Sequence, residues 1–388
     1  ILYYYIKREK VKMIYLDNSA STFIKPKEVI SATCEGLTKY SANPGRSGHM
    51  LSTIAAVKVE NVREKICNFF NAESAIFTEN CTDALNLAIQ GIVKENMHVI
   101  CTTNDHNASV RPLFELQRKL GIEISVSSPK DRGILSIDDI LPHVKQHTKI
   151  ICLNHMSNVD GEIADIEKIG QFCKGKNIIF IVDAAQSAGH IKIDMKKFNV
   201  DFLALAPHKG LYAPQGVGVL ACTNKVSLQP IRFGGTGTES ENLYQPLGTI
   251  ETYESGTLPT PNILGLGAGI DFVKKNFTEI NDKIDDLSTY LNYELSNING
   301  VTVYTHPNNA FGVIGFNVAD YGSTDVSQLL SDKYDICTRG GLHCAGLKHK
   351  FLNTTKQGIV RASLSYFNTF NDCQKLVKAI KHIAKYGY

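Results

Sequence analysis

Between residues 75 and 221 the chain alternates two kinds of apolar pattern. Short β-rich runs stand at "AIFT" (75–78), "HVICTT" (98–103), "IEISVSS" (122–128), "KIICLN" (149–154), "NIIFIVD" (177–183), "DFLALA" (201–206) and "GVGVLA" (216–221). Between them, stretches such as 82–95, 109–120 and 165–175 repeat their apolar residues at helical spacing. Several runs are apolar without alternation, as strands covered on both faces must be. The pattern predicts an α/β domain on a mostly parallel, seven-stranded sheet. Past residue 263 the rhythm changes to a long helical stretch, two short strands ("VTVYT", "VIGFNV"), a helix, a strand and a C-terminal helix over 369–386. That is the pattern of a smaller α+β domain.

The turn-rich "SGTLPTPN" (255–262) marks the boundary between them. The division read from the sequence is an extension over 1–12, an arm over 13–30 joining the small domain, a large domain over 31–262 and a small domain over 263–388. "ILYYYIKREKVK" at the start lacks the apolar core and cleavage site of a signal peptide, and Met13 reads as the natural start.

Composition narrows the function classes. A 388-residue chain with 43% hydrophobic residues can bury a large core. Lys+Arg at 41 against Asp+Glu at 38, with no basic stripe, argues against a nucleic-acid face. No apolar run approaches the roughly 18 residues of a membrane span, so no membrane partner is expected. The ten cysteines are scattered and none forms a CxxC pair, which predicts reduced thiols and a cytoplasmic location.

In open α/β sheets, ligands collect at the carboxyl ends of the strands. "TENCTDALNL" follows the first strand and opens a helix, so the amides around Cys81 and Thr82 form an anion site. "NDHNAS" brings His106 after the second strand, and "NHMSNVDGE" brings Asn158 after the fourth. "VDAAQSAGH" brings Asp183 and Gln186 after the fifth, and "APHKG" brings His208 and Lys209 after the sixth. Taken singly, each has an ordinary explanation: Thr82 and Asp83 as helix caps, Asn158 as a turn residue, His106 as a loop histidine. A lysine beside a buried strand can snorkel to solvent. It can also be kept as a nucleophilic amine, because burial favours the neutral form. The joint placement of an anion cradle, an imidazole, a carboxylate, amides and a lysine favours the second use. The set suits pyridoxal phosphate (PLP), whose aldehyde needs a lysine, whose phosphate needs an anion site and whose pyridine nitrogen needs an acid partner.

These residues lie in motifs that resemble the class V aminotransferase family, and within it the SUF-type cysteine desulfurases. The matching stretches are "DNSAST", "SNVDGEI", "VDAAQSAGH", "HKGLYAPQGVGVL", "ESGTLPTPN" and "RGGLHCAG", between residues 14 and 369. The resemblance implies a PLP-dependent fold type I homodimer that takes L-cysteine, releases alanine and passes sulfur to an acceptor protein. It implies that Lys209 forms the Schiff base, Asp183 pairs the pyridinium, His106 stacks on the ring and Gln186 bonds the phenolic oxygen. Thr82, His208 and the Cys81 amide would hold the phosphate, and Thr257 would reach it from the partner subunit. Arg361 would take the substrate carboxylate, with Asn158 near ring and substrate. Cys344 aligns with the nucleophilic cysteine, with Arg339 or His343 expected to favour its thiolate. Three departures stand out: Ala206 replaces a frequent phosphate-binding serine, Cys81 a common threonine, and Gly346 is expected to loosen the Cys344 loop. A selenocysteine lyase, another carbon–sulfur lyase or a transaminase would share the cofactor residues, and Cys344 separates them from a desulfurase. A non-catalytic scaffold would not need Lys209, Asp183, His106 and Arg361 together.

Three other patterns read as structural. "GQFCKGKN" (170–177) approaches a phosphate loop but precedes a strand, and the glycines of "GVGVLA" lie inside one. His143 and His147 have helical spacing but no glutamate completes a zinc motif, and no metal site is expected.

Overall fold

The computed structural model describes residues 13–45, 47–130, 134–224, 227–308 and 311–387; the extension read over 1–12 lies outside them. The chain falls into two compact units. One takes in Ile24–Met156 and Ala164–Phe277; the other takes in the chain up to Phe23, the inserted Ser157–Ile163 and the chain from Thr278 onward.

The larger unit holds seven strands: β2 (Ser74–Thr78), β3 (His98–Thr102), β4 (Glu123–Ser127), β5 (Thr148–Asn154), β6 (Ile179–Asp183), β7 (Phe202–Leu205) and β8 (Gly218–Cys222). They form one sheet in the order β2-β8-β7-β6-β5-β3-β4. Only β8 runs antiparallel to its neighbours, so the expected mostly parallel sheet is present. Alternate strand residues Val99, Ile150, Ile181, Phe202 and Leu220 join one core cluster with Leu85, Leu113 and Leu116 of the helices Cys81–Gln90 and Asn107–Leu120. Their neighbours Ile100, Ile151, Phe180 and Leu203 are equally buried. Burial on both faces is why these strands read as unbroken apolar runs. Each such side chain contributes about 1.5–3 kcal/mol.

Local signals set the element ends. The helix Asn107–Leu120 stops at Gly121, whose φ of 66° needs no Cβ and whose N–H returns to Gln117 O. The helix Thr260–Ser296 carries non-helical angles at Asn276 (φ −110°, ψ 16°), next to the border between the units.

The smaller unit contains an antiparallel sheet of β9 (Val301–Val303), β10 (Val313–Val318) and β12 (Val360–Ser363), with β10 in the middle. A parallel pair joins β1 (Ile14–Tyr15) to β11 (Ile336–Cys337). The helix Phe370–Tyr386 buries Cys373, Leu376, Val377, Ile380 and Ile383, one face at helical spacing. Thr369 and Asp372 close its first turn as a reciprocal capping box.

Candidate active site

In the larger unit the carboxyl ends of β2, β3, β6 and β7 carry the cofactor candidates. Asp183 is the last residue of β6 and is buried; its Oδ1 accepts from Ala185 N at 2.9 Å and faces Cys81 Sγ at 3.8 Å. Burial pushes its carboxyl upward, while the nearby charge of Lys209 pulls it down. Lys209 follows β7 in a tight turn, with its N–H on Ala206 O at 3.0 Å and its own carbonyl receiving Tyr212 N. Gly210 completes that turn because a Cβ there would stand 2.2 Å from Ala188 O. The charge of Lys209 also acts on Cys81 and His208, so the four groups share one electrostatic neighbourhood.

Cys81 and Thr82 begin the helix after β2. Asn80 caps it by accepting from Asp83 N at 3.0 Å, and among the described residues nothing accepts from the amides of Cys81 and Thr82. Those two N–H groups lie at the positive end of the helix, as an anion cradle requires. His106 caps the helix Asn107–Leu120: its Nδ1 accepts from Ala108 N at 3.0 Å, which leaves Nε2 to carry the ring proton. Gln186 is buried after β6. His208 is held neutral, its pKa pushed down to about 4 by burial and by Lys209 and Lys25.

Two residues of this half were missed by sequence reasoning. Asp105 is wholly buried and accepts from Thr102 N (2.8 Å), Thr102 Oγ1 (3.0 Å) and Asn154 N (2.6 Å). It ties the end of β3 to that of β5 just before His106, and burial raises its carboxyl to about 7. The only signal was an acid next to the candidate histidine. Lys25 donates to His208 O at 3.1 Å, and burial lowers its amine to about 8. It brings a cation to the turn that carries His208 and Lys209. Thr257 is exposed and lines a different cleft with Thr78, Asp83 and Arg232.

The smaller unit carries the substrate candidates. Arg361 on β12 is 1% exposed; Nη1 donates to Asn158 O at 2.9 Å and Nη2 to Asp17 Oδ1 at 2.7 Å. Its buried Nε has no partner among the described residues, and neither has Asn158 Oδ1. A buried N–H left unpaired is costly, which fits a guanidinium awaiting a carboxylate. Asn158 reaches this place because Arg361 pairs in register with Gly315, where a Cβ would meet Val159 O at 2.7 Å.

Asn158 Nδ2 also donates to His343 O at 2.8 Å, next to Cys344. Cys344 is exposed, on a turn where His343 and Cys344 both have left-handed φ (48° and 56°). The loop is anchored on each side: Arg339 and Arg361 exchange backbone hydrogen bonds, Gly341 N donates to Ser323 Oγ, and Ala345 is buried. Gly346 opens a short helix (Gly346–Phe351) whose Lys348 is buried in an ion pair, so this residue begins an anchored element. His343 cannot favour the Cys344 thiolate by charge. Its Nε2–H donates to Ile359 O at 2.8 Å, and burial with Arg361 nearby pushes its pKa down to about 3. The Arg339 side chain is exposed.

The donor set fits PLP: a lysine, a buried carboxylate, a capped imidazole and two open amides at a helix start. A model of class-V aminotransferases matches residues 14–376. The chain belongs to the class-V aminotransferase family. A family member from Methanothermobacter thermautotrophicus, named "Probable cysteine desulfurase", is 33% identical over 96% of this chain and 95% of its own length. One of the same name from Halalkalibacterium halodurans is 32% identical over 96% and 94%. A solved apo structure of a cysteine desulfurase from Thermococcus onnurineus superposes with a TM-score of 0.90 at 32% identity, covering 96% of this chain and 95% of that one. Among the described residues of this class-V member, no group of three or more His, Cys, Asp or Glu could hold a metal ion, and no helix is long and apolar enough to cross a membrane.

Proposed function

We propose that this chain is a PLP-dependent cysteine desulfurase in which Cys344 takes the sulfur of L-cysteine. The observation that carries the reading is the setting of Cys344: an exposed thiol, on an anchored turn, hydrogen-bonded through its neighbour to the Asn158–Arg361 pair. A lyase or transaminase has no use for a nucleophile there. Bound PLP supplies an electron sink. Asp183 would keep the pyridine nitrogen protonated, His106 would support the ring, Gln186 would bond the phenolic oxygen, and Thr82, His208 and the Cys81 amide would hold the phosphate. Arg361 clamps the substrate carboxylate through its free Nε, and Asn158 orients substrate and ring. Lys209 would hold the cofactor's aldehyde and, as a free amine, would take the Cα proton of the substrate. The Cys344 thiolate then attacks the substrate sulfur: the Cβ–S bond breaks, an S–S bond forms, and a proton ends on Cβ. L-cysteine and Cys344–SH thus become L-alanine and Cys344–S–SH, with no external oxidant or reductant.

The active form is a homodimer, in which Thr257 serves the partner's phosphate. Support comes from the larger unit, where Met50, Leu51, Ile54 and Val57 of one helix and Phe233, Leu243 and Tyr244 of one loop expose their apolar surface (Leu243 97%, Tyr244 84%). Ten unpaired cysteines suit a reducing, cytoplasmic setting, and the persulfide passes to an acceptor protein. Incubation of the purified protein with L-cysteine tests the activity. Alanine and protein-bound sulfur should appear in equal amounts. Pyruvate and ammonia in their place would make it a lyase, and amino transfer to a keto acid would make it a transaminase.

A further inference from the structure

Behind Cys344 lies an ion triad that the reaction above does not use. Lys348 is 1% exposed, and its Nζ stands 2.8 Å from Asp160 Oδ2 and 2.7 Å from Glu162 Oε2, both buried. One ammonium against two carboxylates is an expensive way to fill a core, since apolar side chains of similar volume pack there at less cost. Such a group persists where it specifies an arrangement that apolar packing would leave loose.

The arrangement here is a closed ring. From His343 the chain runs through Cys344 to Lys348 on the helix Gly346–Phe351. Lys348 reaches Asp160 and Glu162 on the inserted segment Ser157–Ile163. Asn158 of that segment returns to His343 O at 2.8 Å. Within the ring, His343 and Cys344 hold φ of 48° and 56°, a left-handed conformation uncommon outside glycine. Two adjacent left-handed residues persist only where the surroundings over-determine them. Ala345 N on Leu342 O and His343 Nε2 on Ile359 O brace the turn from within; Val159 packs in one apolar cluster with Ala345 and Leu352, and the triad adds the charged tie between the far end of the turn and the Asn158 segment.

We propose that Lys348, with Asp160 and Glu162, is a positioning lock that holds Cys344 in the strained turn from which it takes sulfur. The proposal rests on Cys344 being the sulfur-taking thiol. With the lock broken, the turn relaxes, and the thiol leaves its place while cofactor and substrate still bind. Arg361 keeps its Asp17 partner at 2.7 Å, so substrate affinity is largely retained.

The test compares the wild-type holoenzyme with Lys348→Met/Asp160→Asn/Glu162→Gln, which removes all three charges together and strands none. The expected result is kcat lowered about tenfold or more, KM within about threefold, the visible PLP spectrum unchanged, and a changed rate of Cys344 alkylation by iodoacetamide. A merely structural triad would lower the melting temperature and leave kcat and alkylation as they are; that outcome overturns the lock. Should the triple variant not fold, Asp160→Asn keeps a neutral Lys348–Glu162 pair and is expected to lower kcat about two- to fivefold. Wild-type kcat in that folded variant overturns the lock as well. Mass spectrometry of the wild type after L-cysteine keeps the two ideas apart. Sulfur on Cys344 with an unaffected variant refutes the lock alone, whereas sulfur on another cysteine refutes the reading beneath it.

Discussion

Lys209 stands where a strand with every residue buried gives way to a turn, and the charges it meets there decide its use. Lys209→Ala is expected to lose the covalently held cofactor and all desulfuration while keeping the fold, as measured by absorption of the PLP-loaded protein and alanine release. Asp183→Ala should retain PLP but slow turnover at least a hundredfold, because the ring loses the partner that keeps its nitrogen protonated. Unchanged turnover would remove the electron-sink role. Lys25→Met should loosen PLP by about tenfold, equivalent to about 1.4 kcal/mol, since it withdraws the cation beside His208; equal retention of PLP on dialysis would refute this. Lys209 and Asp183 could be picked out as candidates because each stands at or just past the end of an apolar run, whereas Arg361 entered only through the family resemblance. Lys348 and Asp160 were not legible. They stand far apart along the chain, and nothing local in either segment says that they meet in the core.

At the scale of elements, the strands covered on both faces were legible as unbroken apolar runs, and the part-buried edge strand β4 as a short β-rich run. The Cys344 loop was legible only in part. His343 looks cationic in sequence, yet burial makes it neutral, and the structure alone shows which of its nitrogens donates. Four histidines share that fate: His155, His190 and His208 are pushed down to about 4, and His343 to about 3. In the unfolded chain they titrate near 6.5. Between those values the unfolded state binds more protons, so stability is present above about pH 6.5 and is lost as the pH falls toward 4. Thermal midpoints recorded over that window should drop steeply. His343→Gln, which keeps a donor for Ile359 O without a titrating group, should flatten the drop. Parallel curves for variant and wild type would show that His343 contributes nothing to it.

For the whole molecule, the proposed homodimer would cover the exposed apolar residues on one helix and one loop of the larger unit. Leu51→Glu with Ile54→Glu should yield a monomer by sedimentation, with weakened PLP retention because Thr257 no longer reaches a partner's phosphate. A monomer that holds PLP and turns over normally would contradict the shared site. The central claim is that the sulfur of L-cysteine passes to Cys344, and the most direct measurement locates that sulfur. Wild-type protein incubated with L-cysteine, alkylated and digested should show one added sulfur on the Cys344 peptide. The Cys344→Ser protein should bind L-cysteine and form almost no alanine. Added sulfur on any other cysteine, or wild-type alanine formation by Cys344→Ser, would contradict the account.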